Sequence, residues 1–242
     1  MSANSDLLSK IAIVLVRPKF AENIGAVVRI AYNMGITRII LVTETLPERE
    51  TMAKMATHKA AHLLDEVIVY DSLADALAPF SVVVGTTARK GRHRFAKYCP
   101  REMTEALIPQ LLHNEAAILF GPEDTGLTND DLKFCQMASA IPTADFSSIN
   151  LAQAVAIHCY EIYYGIVHLA KDIEFIPPLA TSHELESMYS SLEKSLFAID
   201  FLDNVSHIHW MTHLRNFFHR VKLTPKETNI IRGICKKFLE HN

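Results

Sequence analysis

Apolar residues are spaced in two ways along this chain, and the two spacings alternate. Short continuous apolar runs are typical of strands that are buried on both faces of a parallel sheet. Between them, apolar residues recur every three or four positions, as on one face of a helix. The runs predict strands at residues 11–16, 39–42, 67–70, 81–85, 116–120 and 138–141. Strands separated by helices predict an α/β domain with a mostly parallel sheet and helices on both faces.

The helical stretches divide into two groups. Those between the strands are predicted at residues 24–34, 51–64, 72–77, 103–112 and 149–169, with a short helix opened by Thr128. Asn23 is the expected N-cap of the first helix, and Gly35 is expected to end it. Residues 171–182 contain two adjacent prolines and are predicted to be a linker. Helices then follow at residues 183–201, 205–220 and 225–239, which predicts a domain at residues 1–170 and a small all-helical extension at residues 183–242.

The composition is that of an ordinary globular protein. Of 242 residues, 49% are hydrophobic and 21% are charged, which are usual proportions. The net charge is −3, so any contact with a nucleic acid has to come from local basic patches. The four cysteines form no CxxC pair, which argues against a disulfide framework and favours a reducing cytoplasm. No apolar run reaches the ~20 residues that span a bilayer, and we expect no membrane association.

Several common site patterns are missing from the sequence. There is no GxGxxG, no GxxxxGK[ST] and no GxSxG, which argues against dinucleotide binding, P-loop hydrolysis and a nucleophile elbow. Four of the twelve histidines fall in one predicted helix, at residues 205–220, interleaved with apolar residues. That pattern is more typical of a partly exposed basic helix than of a metal site. His58 and His62 lack the glutamate of HExxH, and we predict no metal.

Polar residues gather where predicted strands end. Residues 22–25 follow the first strand, with Arg29 on the next helix, and residues 86–88 (TTA) follow the fourth strand. Residues 120–127 (FGPEDTGL) and 141–157 (IPTADFSSINLAQAVAI) adjoin the last two strands. The carboxyl ends of parallel strands meet at one edge of a sheet, where α/β proteins bind ligands. These segments therefore predict a pocket that is assembled from several loops.

The same residues also have purely structural interpretations. Ser147 and Ser148 are good N-caps for the following helix, because a hydroxyl accepts from the free N–H groups of the first turn. Asn23 is more often a cap than a catalytic amide. Arg29 lies among apolar helix residues, where an arginine is paired, directed at an anion, or placed on the helix flank. The glycines on either side of Glu123 indicate unusual backbone angles.

In this order, the clusters resemble the SPOUT superfamily of RNA methyltransferases. Its three motifs look like residues 23–29 (NIGAVVR), 120–127 and 141–157 of this chain. The resemblance extends to the TrmJ branch, the tRNA 2'-O-methyltransferases, through residues 85–89 (GTTAR), 126–132 (GLTNDDL) and 229–234 (NIIRGI). It covers essentially the whole chain. It implies an α/β domain with a deep trefoil knot near its C-terminal part, followed by the helical extension.

This resemblance also implies a cofactor, a partner and a substrate. S-adenosylmethionine would lie bent in the knotted loops, and two copies of the chain would form a homodimer with active sites at the interface. The substrate would be the ribose 2'-hydroxyl of cytidine or uridine 32, in the anticodon loop of tRNA. The matching cofactor-binding positions are Thr86, Thr87, Ala88, Gly121, Ile141, Ser147, Ser148 and Ile149.

The resemblance implies catalytic roles for five residues. In this superfamily the arginine of the first motif, here Arg29, is assigned to activation of the hydroxyl. Because a guanidinium stays protonated, Arg29 is expected to hold the adjacent phosphate and to stabilise the developing alkoxide. A phosphate oxygen or Glu123 would then take the proton. Ser148 and Asn150 would orient the arginine and the ribose, and Asn23 would support the same loop.

Three departures from the TrmJ pattern bear mainly on RNA recognition. Pro122 and Asp124 stand where arginine is usual, and Glu22 stands where a small residue is common. Positive charge would have to come from the basic segment at residues 89–97 or from the tail. The basic tail residues are Arg215, Arg220, Lys222, Lys226, Arg232, Lys236 and Lys237. The alternatives to a tRNA methyltransferase are the same chemistry on ribosomal RNA and a non-catalytic RNA-binding protein with a degenerate site.

Overall fold

A computed structural model describes residues 3–88, 97–168 and 176–241. The described residues form a sheet of β1 (Ile11–Val16), β2 (Arg38–Val42), β3 (Ile68–Tyr70), β4 (Val82–Thr86), β5 (Lys97–Tyr98), β6 (Ala116–Phe120) and β7 (Met137–Ser139). The strand order is β3-β2-β1-β6-β4-β7-β5, and every neighbouring pair is parallel. The mostly parallel sheet predicted from the apolar runs is confirmed. Apart from the backbone of Lys97, the basic segment at residues 89–97 lies outside the described residues.

Helices surround this sheet and form the tail. They are α1 (Ala3–Ser9), α2 (Ala21–Asn33), α3 (Arg49–Ala60), α4 (Leu73–Leu77), α5 (Pro100–Leu107), α6 (Asn129–Leu132), α7 (Leu151–His168), α8 (Ser182–Ala198), α9 (His207–Val221) and α10 (Pro225–His241). Two 3-10 segments, Ala61–Asp65 and Ile108–Leu112, follow α3 and α5. The second begins just before Pro109, which has no N–H for an α-helical bond. The helix predicted at residues 103–112 therefore changes type part-way.

Both faces of the sheet carry a hydrophobic core. Along β1 the side chains alternate: Ile11, Ile13 and Leu15 belong to the core under α2 and α7, while Ala12 and Val14 belong to the core under α4. All of them are fully buried. The continuous apolar run therefore has the two-sided burial that is expected of a strand in a covered parallel sheet.

The first helix begins earlier than the sequence predicts. α2 starts at Ala21, so its N-cap position is Phe20 and the prediction of Asn23 as the cap is wrong. Gly35 ends the helix as predicted, with φ at +70°. The Gly35 N–H donates to the carbonyl of Tyr32, and the N–H of Ile36 donates to Ala31, which closes the last turn.

The helical tail has a core of its own and is bonded to the α/β part. That core includes Ala180, Leu185, Met188, Tyr189, Leu202, Met211 and Leu223. The backbone N–H of Leu179 donates to Asn114 Oδ1 (2.7 Å), and the N–H of Ser182 donates to the carbonyl of Phe80 (2.8 Å). The described end of the predicted linker is therefore held against the domain. Thr181 and Glu184 form a capping box that starts α8.

Candidate active site

A cavity of about 540 Å³ lies at the carboxyl ends of β4, β6 and β7. These three strands are neighbours in the sheet, so the loops that follow them meet although they are far apart in sequence. The eight positions that resemble a cofactor site all line the cavity: Thr86, Thr87, Ala88, Gly121, Ile141, Ser147, Ser148 and Ile149. The volume is in the range of pockets that enclose ligands of drug size, roughly 300–1,000 Å³.

The loop after β6 reaches the cavity by folding closely on itself. A Cβ on Gly121 would lie 2.2 Å from the backbone N of Leu127 and 2.4 Å from the carbonyl carbon of Gly126. Gly126 has φ at +65°, and its N–H donates to the carbonyl of Pro122 (2.8 Å). The two glycines thus have different functions: Gly121 permits close backbone contact, and Gly126 permits the left-handed turn.

A chain of side-chain hydrogen bonds joins three of the polar segments, residues 22–25, 120–127 and 141–157, at the rim of the cavity beside Glu123, which lines it. Asn150 Nδ2 donates to Asn23 Oδ1 (3.0 Å), and Asn23 Nδ2 donates to Glu123 Oε1 (2.8 Å). Glu123 also accepts from the backbone N–H groups of Lys19 (2.9 Å) and Phe20 (3.4 Å). Glu123 therefore bonds the N-cap residue of α2 and the residue before it, where the helix has no side-chain cap of its own. Three donors occupy much of its acceptor capacity.

Asn150 caps α7, and this corrects the prediction for Ser147 and Ser148. Its Oδ1 accepts from the backbone N–H groups of Ala152 (2.9 Å) and Gln153 (3.3 Å). Since α7 begins at Leu151, the two serines precede the cap. Their side chains lie at the cavity wall instead.

Arg29 is separated from the other predicted catalytic residues within one chain. It lies on α2 six residues after Asn23, which places it about 120° around the helix at 3.6 residues per turn. Its side chain is exposed, and it does not line the cavity. The structure brings together Glu123, Asn23 and Asn150, places Ser148 in the wall of the cavity that Glu123 also lines, and leaves Arg29 on the outer face.

Two family models match the chain in succession. Residues 10–160 match the SpoU rRNA Methylase family, and residues 183–241 match the C-terminal domain of the tRNA methyltransferase TrmJ. The tRNA (cytidine/uridine/adenosine-2'-O-)-methyltransferase TrmJ of Pseudomonas aeruginosa (strain UCBPP-PA14) is 35% identical over 241 residues, which is 94% of this chain and 93% of that protein. This chain belongs to the SpoU methylase family, in its TrmJ branch.

Solved structures of the family have the same fold. TrmJ from Z. mobilis ZM4 superposes with a TM-score of 0.81 at 30% identity, over 93% of this chain and 97% of that one. The SpoU methyltransferase AviRb from Streptomyces viridochromogenes, in complex with AdoMet, superposes with a TM-score of 0.53 at 19% identity. That match covers 65% of this chain and 58% of AviRb and shows the fold alone.

The loop after β6 carries two of the three departures from the TrmJ pattern. Pro122 lines the cavity, and Asp124 forms an ion pair with Lys19 from the loop after β1. The hydrogen bond from Lys19 lowers the pKa of the Asp124 carboxyl. The negative charge that replaces a usual arginine is therefore matched by a cation that is close in space and distant in sequence.

Sequence reasoning missed a buried pair beneath the cavity. His158 Nδ1 donates to the carbonyl of Ala154 (2.8 Å), so Nε2 accepts from Ser139 Oγ (2.9 Å). The ring also packs against Phe120 in a T-shaped arrangement, with centroids 5.3 Å apart. His158 links α7, β7 and β6 at the cavity floor. The spacing of His158 from Leu151 and Val155 places it on the apolar face of α7, which could have predicted its burial from the sequence.

His158 should make folding stability depend on pH. Burial lowers the pKa of His158 from about 6.5 to about 4. Between these two values the imidazole is protonated in the unfolded chain and neutral in the folded chain. Stability is therefore lost as the pH falls from 6.5 towards 4, by up to about 3 kcal/mol. Urea unfolding at pH 7.5, 6 and 5 measures the loss. His158→Gln keeps an acceptor for Ser139 and should have a flatter profile; an unchanged profile would assign the slope to other groups, such as His219.

Neither a metal centre nor a membrane span is found in the part of the chain that the structure describes. No group of three or more His, Cys, Asp and Glu side chains among those residues is placed to hold a metal ion. No helix within them is long and apolar enough to cross a membrane. His209 and His213 lie one turn apart on α9, with ring centroids separated by 4.4 Å.

Proposed function

We propose that this chain is an S-adenosylmethionine-dependent tRNA 2'-O-methyltransferase that modifies cytidine or uridine 32 of the anticodon loop. The observation that carries the proposal is the cavity, with the hydrogen-bonded chain Glu123–Asn23–Asn150 at its rim. The name of the Pseudomonas relative supports tRNA as the substrate and the ribose hydroxyl as the methylated group. The match of the tail to the TrmJ C-terminal domain supports the same substrate class.

The cavity suits S-adenosylmethionine in size and in the character of its walls. Its lining combines exposed backbone of the glycine-containing loop with the apolar side chains of Ile141 and Ile149. Thr86, Thr87 and Ser147 add hydroxyl groups. When bound, the cofactor would supply a methyl group, carried on a positively charged sulfur, for transfer to a ribose oxygen. The chain's own contribution is to position that oxygen and to stabilise its developing negative charge.

The residues near the cavity have different roles in positioning the substrate and stabilising charge. Glu123 fixes the amide of Asn23, and Asn23 fixes Asn150, so that the start of α7 is held against α2. Because three donors already bond Glu123, we assign it to orientation and assign the proton to a phosphate oxygen of the substrate. Ser148 faces the cavity and is placed to orient the ribose. Arg29 stabilises the alkoxide as the proton leaves.

The exposed position of Arg29 supports a homodimer. α2 packs against α7, and α7 carries an exposed apolar face of Ile157, Tyr160, Tyr163 and Tyr164. An exposed patch of this kind is typical of a protein interface. A second copy on this face would cover it and would allow Arg29 of one protomer to serve the cavity of the other. The deep knot implied by the family resemblance remains a prediction, as does a cytoplasmic location.

The experiment is methyl transfer from labelled S-adenosylmethionine to undermodified tRNA and to ribosomal RNA. Ribosomal RNA is the second candidate because the matching family is described as the SpoU rRNA Methylase family. We expect label in tRNA, on the 2'-oxygen of nucleotide 32, located by digestion and mass spectrometry. Label in ribosomal RNA alone would favour that candidate. Cofactor binding without transfer to either RNA would favour a non-catalytic RNA-binding protein.

We also propose that the tail helps to bind tRNA. Arg232, Lys236 and Lys237 are exposed on α10. Arg215 is different from these, because it pairs with Glu186 and lies over the ring of Tyr189, 4.2 Å from its centroid. Replacing Arg232, Lys236 and Lys237 by glutamine should weaken tRNA binding about tenfold and lower the salt slope by about 2. Cofactor affinity should not change; equal tRNA affinity in variant and parent would remove the tail from recognition.

A further inference from the structure

Three cations lie on the loop after β1 and on the helix that follows it, and their surroundings differ. Arg17 is bonded to Asp131, whose side chain is only 6% exposed. Asp131 also accepts from the N–H and the hydroxyl of Thr128, at 2.7 and 2.8 Å. Removing Arg17 would leave that buried carboxylate with fewer donors, so Arg17 has a structural role. Arg29 makes no hydrogen bond or ion pair with the described residues.

Lys19 is the intermediate case. Its backbone N–H donates to Glu123 Oε2 (2.9 Å), which fixes its main chain at the rim of the cavity. Its ammonium pairs with Asp124, and the side chains of the two are 52% and 49% exposed. Asp124 itself lines the cavity. Since exposed ion pairs contribute little to stability, another anion can replace Asp124 at little cost.

We propose that Lys19 is the phosphate-binding residue at this cavity and that Asp124 is its resting partner, which the phosphate of the substrate RNA displaces. The proposal rests on the proposed function, because that function brings an RNA phosphate to the rim. An ammonium binds a carboxylate and a phosphate with the same charge-assisted hydrogen bonds. Asp124 thus occupies the position of the substrate anion in the free enzyme.

The exchange between Asp124 and phosphate predicts a pattern of KM values that a general change of surface charge would not produce. Lys19→Gln should raise the KM for tRNA three- to tenfold and leave the KM for S-adenosylmethionine unchanged. Asp124→Asn should lower the KM for tRNA about threefold, because Lys19 no longer has a competing partner. It should also steepen the salt dependence of binding by about 0.7, because in the parent the displaced Asp124 takes up a cation and offsets the counterion that the phosphate releases when it binds Lys19. In the Lys19→Gln background, Asp124→Asn should give no gain.

Matched controls come from the opposite edge of the sheet. Glu115 pairs with Arg38, which begins β2, and Lys10 precedes β1. Glu115→Gln and Lys10→Gln make the same chemical changes far from the cavity and should leave the KM for tRNA within twofold of the parent. Direct tRNA binding by fluorescence anisotropy, across a salt series, reports the same ranking without requiring catalysis.

The outcomes separate this inference from the proposed function. Methyl transfer by the parent enzyme tests the function alone. If the parent transfers methyl groups and Asp124→Asn gains equally with and without Lys19, Asp124 acts only through its long-range field and the exchange is refuted. Unchanged tRNA binding in Lys19→Gln would also refute it. If the parent binds tRNA without methylating it, the ranking of affinities still decides the role of the pair.

Discussion

Replacing Arg29 by alanine is expected to reduce kcat for tRNA methylation by 10²–10³, the usual loss on removing one donor to a developing oxyanion. The dissociation constant for S-adenosylmethionine should stay within twofold, because Arg29 is exposed and does not line the cavity. Arg29→Lys keeps the charge but loses the planar fork, and we expect an intermediate rate. Calorimetric cofactor binding and single-turnover transfer measure the two quantities separately. A parallel loss of both would identify Arg29 as a structural residue.

If the enzyme forms the proposed homodimer, mixed dimers would show which cavity Arg29 serves. Gly121→Ala is expected to destroy the cavity in its own chain, and Arg29→Ala removes only the guanidinium. If Arg29 acts across the interface, half of the dimers in an equal mixture are mixed, and each of these has one complete site. About a quarter of the parent activity should then return. If Arg29 acts in its own chain, the mixture stays inactive, because no chain carries both an intact cavity and Arg29.

The sequence predicted the strands well because burial on both faces leaves a continuous apolar run. β1 and β6 occur at their predicted bounds. β5 was missed because a strand of two residues, Lys97–Tyr98, has no periodicity to detect. The strand order was also beyond sequence pattern, since β6 lies between β1 and β4. That order is what brings the loops after β4, β6 and β7 to one cavity.

The residues of the candidate site could be predicted from the sequence, but most of the hydrogen bonds that join them could not. Local rules allow Ser147, Ser148 or Asn150 to cap α7, and only the point at which the backbone turns helical selects Asn150. The backbone N–H groups of Lys19 and Phe20, just before α2, donate to Glu123, about a hundred positions away in sequence. Asp124 is matched by Lys19 over a similar separation. Such contacts follow from the order of the strands, which local pattern does not encode.

Gly121→Ala is expected to abolish cofactor binding, with a loss of at least a hundredfold in affinity. The added Cβ would lie 2.2 Å from the backbone N of Leu127 and 2.4 Å from the carbonyl carbon of Gly126. These are main-chain atoms of the same loop, so no side-chain rotation relieves the overlap, and the cavity wall at residues 121–127 has to open. Overpacking of this kind costs about 1–3 kcal/mol or more. Isothermal titration with S-adenosylmethionine and urea unfolding measure the two effects.

Gly126→Ala is the matched control in the same loop. A Cβ there meets no atom within 4 Å, and the only penalty is the left-handed φ of +65°. That penalty is about 1–2 kcal/mol for a residue with a side chain. This penalty lowers folding stability but does not displace the cavity wall. Gly126→Ala should therefore keep cofactor affinity within about threefold. Comparable binding by both variants would mean that the loop adapts, and that close backbone contact at Gly121 is not what shapes the cavity.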